Sequence, residues 1–101
     1  MSFETIRIND IEKYIGRADV VIIDLREPRD YMRGHIPGAI NIPYEELDSH
    51  ADHLPRKLLI LYCDRGNISL LAVRDLVKYN YHLKSLYGGL RAYHGRLEKS
   101  I

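Results

Sequence analysis

"LLILYCDRGNIS", residues 58–69, runs an apolar stretch into the chain's only cysteine, then into a polar loop with one glycine, and then toward a helical pattern. The apolar part, "LLILYC" at 58–63, is continuous, not alternating. Such a run fits a strand covered on both faces, as in a parallel sheet. "DVVIID" at 19–24 has the same character. Weaker strand patterns are "TIRI" (5–8), "AINI" (39–42) and "SLYG" (85–88). Between them lie helical stretches. "DIEKYIG" ends on Gly16 with Asn9 or Asp10 available as a cap, and "PRDYMRG" opens with Pro28, where a missing N–H costs little. "YEELDSHAD" (44–52) is polar enough for a surface helix, and "GLRAYHGRLEK" reads as a closing one. The clearest amphipathic helix is "SLLAVRDLVKYNY", with Leu70, Val73, Leu76 and Val77 at helical spacing. Strands and helices alternating over short connections predict a parallel α/β sheet wrapped by helices. Ligands of such sheets gather at the carboxyl ends of the strands, the rim where Asp24 and Cys63 fall.

Bulk composition narrows the function classes. A chain of 101 residues suits one hydrophobic core and one domain. Basic and acidic side chains number 15 and 14 and are spread along the chain, so no basic footprint for nucleic acid exists. No apolar run approaches the roughly 20 residues that span a bilayer. The N-terminal "MSFETIRIND" has polar residues where a signal peptide needs an apolar core, so a cytoplasmic, reducing location is expected. A single cysteine in that setting is either a small buried hydrophobe or a reactive group.

The loop after Cys63 favours reactivity. A thiol attacks as thiolate, and a free pKa of about 8.5 leaves little of that form at neutral pH without positive potential nearby. Asp64, Arg65, Gly66, Asn67 and Ile68 form a tight turn leading to Ser69 at the helix start, where unpaired backbone N–H groups and the helix dipole supply that potential. Gly66 permits backbone conformations that other residues resist, and Asn67 tolerates the left-handed region. The turn can therefore aim successive amides inward around the sulfur as an anion-binding nest, with no histidine base required.

Three blocks in order, "IIDLREPRDYMRGHIPGAINIPY", "YCDRGNIS" and "LYGGLRAYHGRL", resemble the rhodanese-like domain family of sulfurtransferases over roughly residues 5 to 97. The resemblance implies the rhodanese-like α/β fold, a parallel five-stranded sheet flanked by helices on both faces, in a single domain over residues 1–101. It implies that Cys63 accepts sulfane sulfur as a persulfide from a small donor such as thiosulfate, or from a protein persulfide. The sulfur then passes to a thiophilic acceptor such as cyanide, a thiol or a protein. Asp64, Arg65, Gly66, Asn67, Ile68 and Ser69 become the residues that bind the donor, with no cofactor, metal, nucleic acid or membrane involved. Two positions depart from the family pattern. Many members follow C-x-x-G-x-R, and Ile68 stands at the arginine position; Tyr93 stands where tryptophan often closes the "GG" block.

Blander readings belong beside these. Cys63 alone would pass for a structural thiol and Arg65 for a solvated loop arginine. Asp24 and Arg26 read as ties between the strand end, neighbouring backbone and a carboxylate such as Glu27. "GHIPGA" turns the chain, with His35 a minor candidate for a base. His50 and His53, near Asp48 and Asp52, lack the thiolates of a structural zinc site, and the "YGGLRAYHG" glycines do not fit a dinucleotide fingerprint. Two other functions use the same residues. A cysteine phosphatase or arsenate reductase would want a longer loop and an arginine where Ser69 stands. A non-enzymatic or relay module would dock a partner at an open rim, with Ile68 as an apolar contact.

Overall fold

The computed structural model describes residues 3–100; Met1, Ser2 and Ile101, the extremes of the span read as one domain and of its N-terminal stretch, lie outside the described residues. Five strands, β1 (Glu4–Ile6), β2 (Val20–Asp24), β3 (Ile40–Asn41), β4 (Leu58–Tyr62) and β5 (His82–Leu86), form one sheet in the order β1-β5-β4-β2-β3. Every neighbouring pair is parallel. The two strongest apolar runs are central neighbours, in register from Val20↔Leu58 to Asp24↔Tyr62. Three helices cross over the sheet: α1 (Pro28–Arg33), α2 (Leu47–His50) and α3 (Asn67–Leu76), with short 3-10 segments at Ile8–Lys13, Tyr44–Glu46, Val77–Tyr79 and Leu90–Ala92.

The period of two along each strand divides the core. One face carries Ile23, Leu59, Leu61, Cys63 and Leu83 against Leu47 and Ala51 near α2 and Ala72, Val73 and Leu76 of α3. The other carries Ile6, Ile22, Ile60, Tyr62 and Leu86 against Ile11 and Ile36. Helical elements thus cover both faces of the α/β sheet.

Several elements differ from the sequence reading. The helix of α3 begins at Asn67, two residues before Ser69, and its buried stripe is Ser69, Ala72, Val73 and Leu76, with Leu70 exposed. Gly66 is in the left-handed region at φ +98°, which stops the loop and lets the helix start at once. The first helix is a 3-10 segment that starts at Ile8, with no side-chain cap from Asn9 or Asp10. The last strand lies earlier than "SLYG", because Gly88 and Gly89 adopt positive φ and turn the chain out of the ladder. The closing helix is reduced to Leu90–Ala92. Tyr93 is extended, and Glu98 exchanges both backbone hydrogen bonds with His35, which pulls the tail across as a strap.

Asp24 sits at the carboxyl end of β2 with no exposed surface. Its carboxylate accepts from the Tyr62 hydroxyl at 2.6 Å, from the Arg26 backbone N–H at 2.9 Å and from the Arg26 guanidinium at 2.8 to 3.2 Å. Arg26 also donates to the Gly34 carbonyl at 2.6 Å, and Tyr62 accepts from the Ile36 N–H at 3.1 Å. Asn41 closes the rim by donating to the carbonyls of Asp24 and Arg26. Glu27 has no part in these bonds; the arginine reaches the Gly34 carbonyl instead. Burial works against the Arg26 charge, yet the bonds to Asp24 more than offset it and hold the guanidinium more firmly protonated than usual. Burial first, and the Asp24 charge second, push the Tyr62 phenol far above its ordinary range.

A second contact sets the position of the loop that follows β4. Leu90 N–H donates to the Cys63 carbonyl at 2.9 Å and Arg91 N–H to the Asp64 carbonyl at 3.0 Å. The Gly88–Gly89 turn lies so close beneath that a Cβ on Gly89 would come within 2.6 Å of the Asp64 carbonyl carbon and oxygen, and φ there is +65°.

Tyr62→Phe removes a donor from a buried carboxylate and an acceptor from Ile36, so unfolding free energy should fall by about 2 kcal/mol, read as a lower urea midpoint at unchanged slope. Unfolded Tyr62 would titrate near 10.0 while folded Tyr62 keeps its proton, so the folded state binds more protons above that pH and this contribution is lost as pH rises. The gap between parent and Tyr62→Phe should accordingly narrow above pH 10. Gly89→Ala, which puts a methyl into backbone at a strained φ, should cost at least about 2 kcal/mol in the same measurement.

Candidate active site

Cys63 directly follows the central strand β4 and is 4% exposed. Its Sγ accepts from two backbone amides, Gly66 N–H at 3.1 Å and Ser69 N–H at 3.4 Å. These belong to the turn and to the first turn of α3, so the loop wraps the sulfur with N–H groups aimed at it. Both conditions come from local sequence. Gly66 supplies the left-handed step, and its bare Cα lets it approach the Gly88 backbone, where a Cβ would lie 3.0 Å from the Gly88 nitrogen. The helix start then leaves N–H groups without intrahelical acceptors, and one of them serves the sulfur.

The six residues after Cys63 fall into two groups. Gly66, Ile68 and Ser69 turn inward. Ile68 is half-buried and packs against the core cluster that contains Cys63. The Ser69 hydroxyl faces the interior, donating to the Gly66 carbonyl at 3.1 Å and lying 2.9 Å from the Ser85 hydroxyl. Asp64, Arg65 and Asn67 face solvent. The Asp64 carboxylate lies between two guanidiniums, 4.0 Å from Arg65 Nε and 3.8 Å from Arg91 Nε. These three charged side chains, in the loop and in the turn beneath it, are all exposed. On the same carboxyl edge, the neighbouring Glu45 carboxylate raises the Glu27 carboxyl above the usual range.

Asp24 shares the strand-end rim with Cys63 but serves the opposite face. Ile22, Ile60 and Tyr62 line one side, Leu59, Leu61 and Cys63 the other, so the neighbours Tyr62 and Cys63 point apart. His35 stacks on Tyr31 at 3.8 Å between ring centroids and donates from Nδ1 to the Tyr31 carbonyl at 2.8 Å, away from the sulfur site. No group of three or more His, Cys, Asp or Glu side chains able to hold a metal occurs among the described residues. Nor, among them, is any helix long and apolar enough to cross a membrane. A groove of about 320 Å³, walled by Arg65, Gly66, Asn67, Ser85, Tyr87 and Gly88 among others, flanks the loop, but Cys63 is not part of its lining.

Sequence reading missed four participants. Arg91 and the two glycines of "YGGLR" support the loop from below, although the glycine pair stood out as a motif. Ser85 is a buried polar residue inside β5, 2% exposed, and its one signal was a hydroxyl between lysine and leucine in a strand.

Comparison with known proteins identifies the family of this fold. The profile of the rhodanese-like domain matches residues 8–96. A tRNA sulfurtransferase of Desulfurococcus amylolyticus is 41% identical over 84 residues, 82% of this chain, which spans only 17% of that protein's length. A thiosulfate:glutathione sulfurtransferase of Saccharomyces cerevisiae is 31% identical over 107 aligned positions, covering 87% of this chain and 75% of that one. The crystal structure of a rhodanese-related protein from Thermoplasma volcanium superimposes with a TM-score of 0.83 at 27% identity, over 95% of this chain and 98% of the other. With the profile covering nearly all of the sheet and the cysteine loop at its carboxyl edge, the chain belongs to the rhodanese-like domain family.

Proposed function

We propose that this protein is a sulfurtransferase that carries sulfane sulfur on Cys63. The supporting observation is the convergence of the Gly66 and Ser69 N–H groups on Sγ. Backbone donors held by a turn and a helix start stabilise negative sulfur without reorganising when the charge moves. In the loading step the Cys63 thiolate attacks the outer sulfur of the donor. A new S–S bond forms, the donor's own bond to that sulfur breaks, and the leaving group departs with the electron pair: sulfite from thiosulfate, a thiolate from a persulfide. In the second step an acceptor, cyanide or a thiolate, attacks the outer sulfur of the Cys63 persulfide and the Cys63 thiolate leaves. Residues 1–101 act as a single domain in this reading. Relatives named for transfer to tRNA and to glutathione fit both a macromolecular and a small thiol partner.

Donor choice follows from Ile68. Where many family members carry arginine, an isobutyl-sized side chain packs into the core, and the cations left near the loop, Arg65 and Arg91, are 68% and 59% exposed and share Asp64. A sulfonate in thiosulfate gains little from exposed, partly neutralised guanidiniums. A persulfide donor does not need that clamp. The reading that fits this site best is therefore loading from a persulfide, of a small thiol or a protein, with thiosulfate the weaker donor. The phosphatase reading lacks its arginine: Ser69 occupies that position, and its hydroxyl is committed to Gly66 and Ser85.

Mass spectrometry after incubation with glutathione persulfide should show one added sulfur on Cys63 in the parent and none in Cys63→Ser. Absence of any adduct in the parent, with either a persulfide or thiosulfate, would end the sulfur-carrier reading. Ile68→Arg should raise the loading rate with thiosulfate about tenfold relative to persulfide, the effect of one charge-assisted contact.

A further inference from the structure

Ser85 lies near the carboxyl end of β5, on the same face as Leu83 and 2% exposed, where an alanine would fill the same space. Its hydroxyl approaches Ser69 Oγ at 2.9 Å, and Ser69 Oγ in turn approaches the Gly66 carbonyl oxygen at 3.1 Å. Counting protons orders this chain. A carbonyl can only accept, so Ser69 spends its single proton on Gly66, and Ser85 must be the donor to Ser69.

The consequence concerns the sulfur. Gly66 and Ser69 are the two residues whose amides reach Sγ. The Ser69 hydroxyl staples them to each other, and Ser85 ties that staple to the sheet. A serine hydroxyl at the first turn of a helix otherwise turns among three staggered rotamers, bonding locally in only some of them. Donation from Ser85 engages the Ser69 lone pair in the rotamer that bonds Gly66. The amides that hydrogen-bond to the sulfur come from Gly66 and Ser69, not from Ser85.

We propose that Ser85 is a positioning residue of the sulfur site, acting through Ser69 to hold the Gly66 and Ser69 amides on Cys63. This rests on Cys63 being the sulfur carrier, so the test needs a reading that survives without sulfur transfer. Alkylation of Cys63 by iodoacetamide at pH 7 supplies one, and persulfide loading supplies the other. Ser85→Ala should slow both by about tenfold, as small losses of alignment do, with the drop in kcat and KM nearly unchanged. Ser85→Thr keeps the hydroxyl and should recover most of the rate, whereas a merely structural role would show a lower Tm with parent reactivity. Parent rates in Ser85→Ala, or equal losses in the alanine and threonine variants, overturn the proposal. If the parent loads no sulfur from any donor, the carrier reading fails, while the alkylation rates still decide what Ser85 does.

Discussion

Two peptide N–H groups pointing at one sulfur atom impose most of the local design. For the Gly66 and Ser69 amides to converge on Cys63, the chain must leave a buried strand, reverse within three residues and enter a helix immediately. That path needs a left-handed residue at 66, which glycine adopts at little steric cost. It also needs the underlying segment to be thin. Gly88 and Gly89 meet that need, leaving no side chain between the loop and the turn after β5. The hydrogen bonds from Leu90 and Arg91 to the carbonyls of Cys63 and Asp64 then face the remaining acceptors downward, so that the donors face the sulfur.

The alternation of side chains along β4 separates stability from chemistry. Tyr62 goes to one face, where its hydroxyl completes a buried cluster with Asp24, Arg26 and the Ile36 backbone. Cys63 goes to the other, under α3. Burying a charge pair is costly unless each lone pair finds a donor, and the Asp24 cluster meets that condition fully, leaving no buried side-chain polar atom unpaired among the described residues. This cluster ties the β2 end to the turn at Gly34, and it holds the rim beside the cysteine without placing any charge on it. The hydrogen bonds that reach the sulfur come from backbone N–H groups, and the charged side chains of the loop stay exposed.

How much of this was legible follows from how local each cause is. The two central strands and the cysteine loop were readable because continuous apolar runs and a glycine after a thiol are local signals. The strand order, with β1 joining beyond β5, is set by packing between distant segments. The same holds for the tail: "GLRAYHGRLEK" has a helical composition, but the bridge between Glu98 and His35 and the extended Tyr93 override it. Ser85 was invisible for a related reason. Its meaning depends on Ser69, sixteen residues away in sequence and adjacent only once α3 lies over β5.

In the proposed reading, Ile68 alters donor recognition without disturbing the frame of the site. A long cation at that position would have to keep its head in solvent at the loop, which pulls its stem away from the core. An isoleucine does the opposite, closing the core cluster beneath the loop and leaving the sulfur's surroundings neutral apart from exposed side chains. The amides that hold the sulfur are indifferent to that exchange, because they are fixed by Gly66, Ser69 and the glycine turn. If Cys63 carries sulfur as proposed, stabilisation of that sulfur and recognition of its donor are separable in this fold, the first resting on backbone geometry and the second on the side chains at the loop's edge.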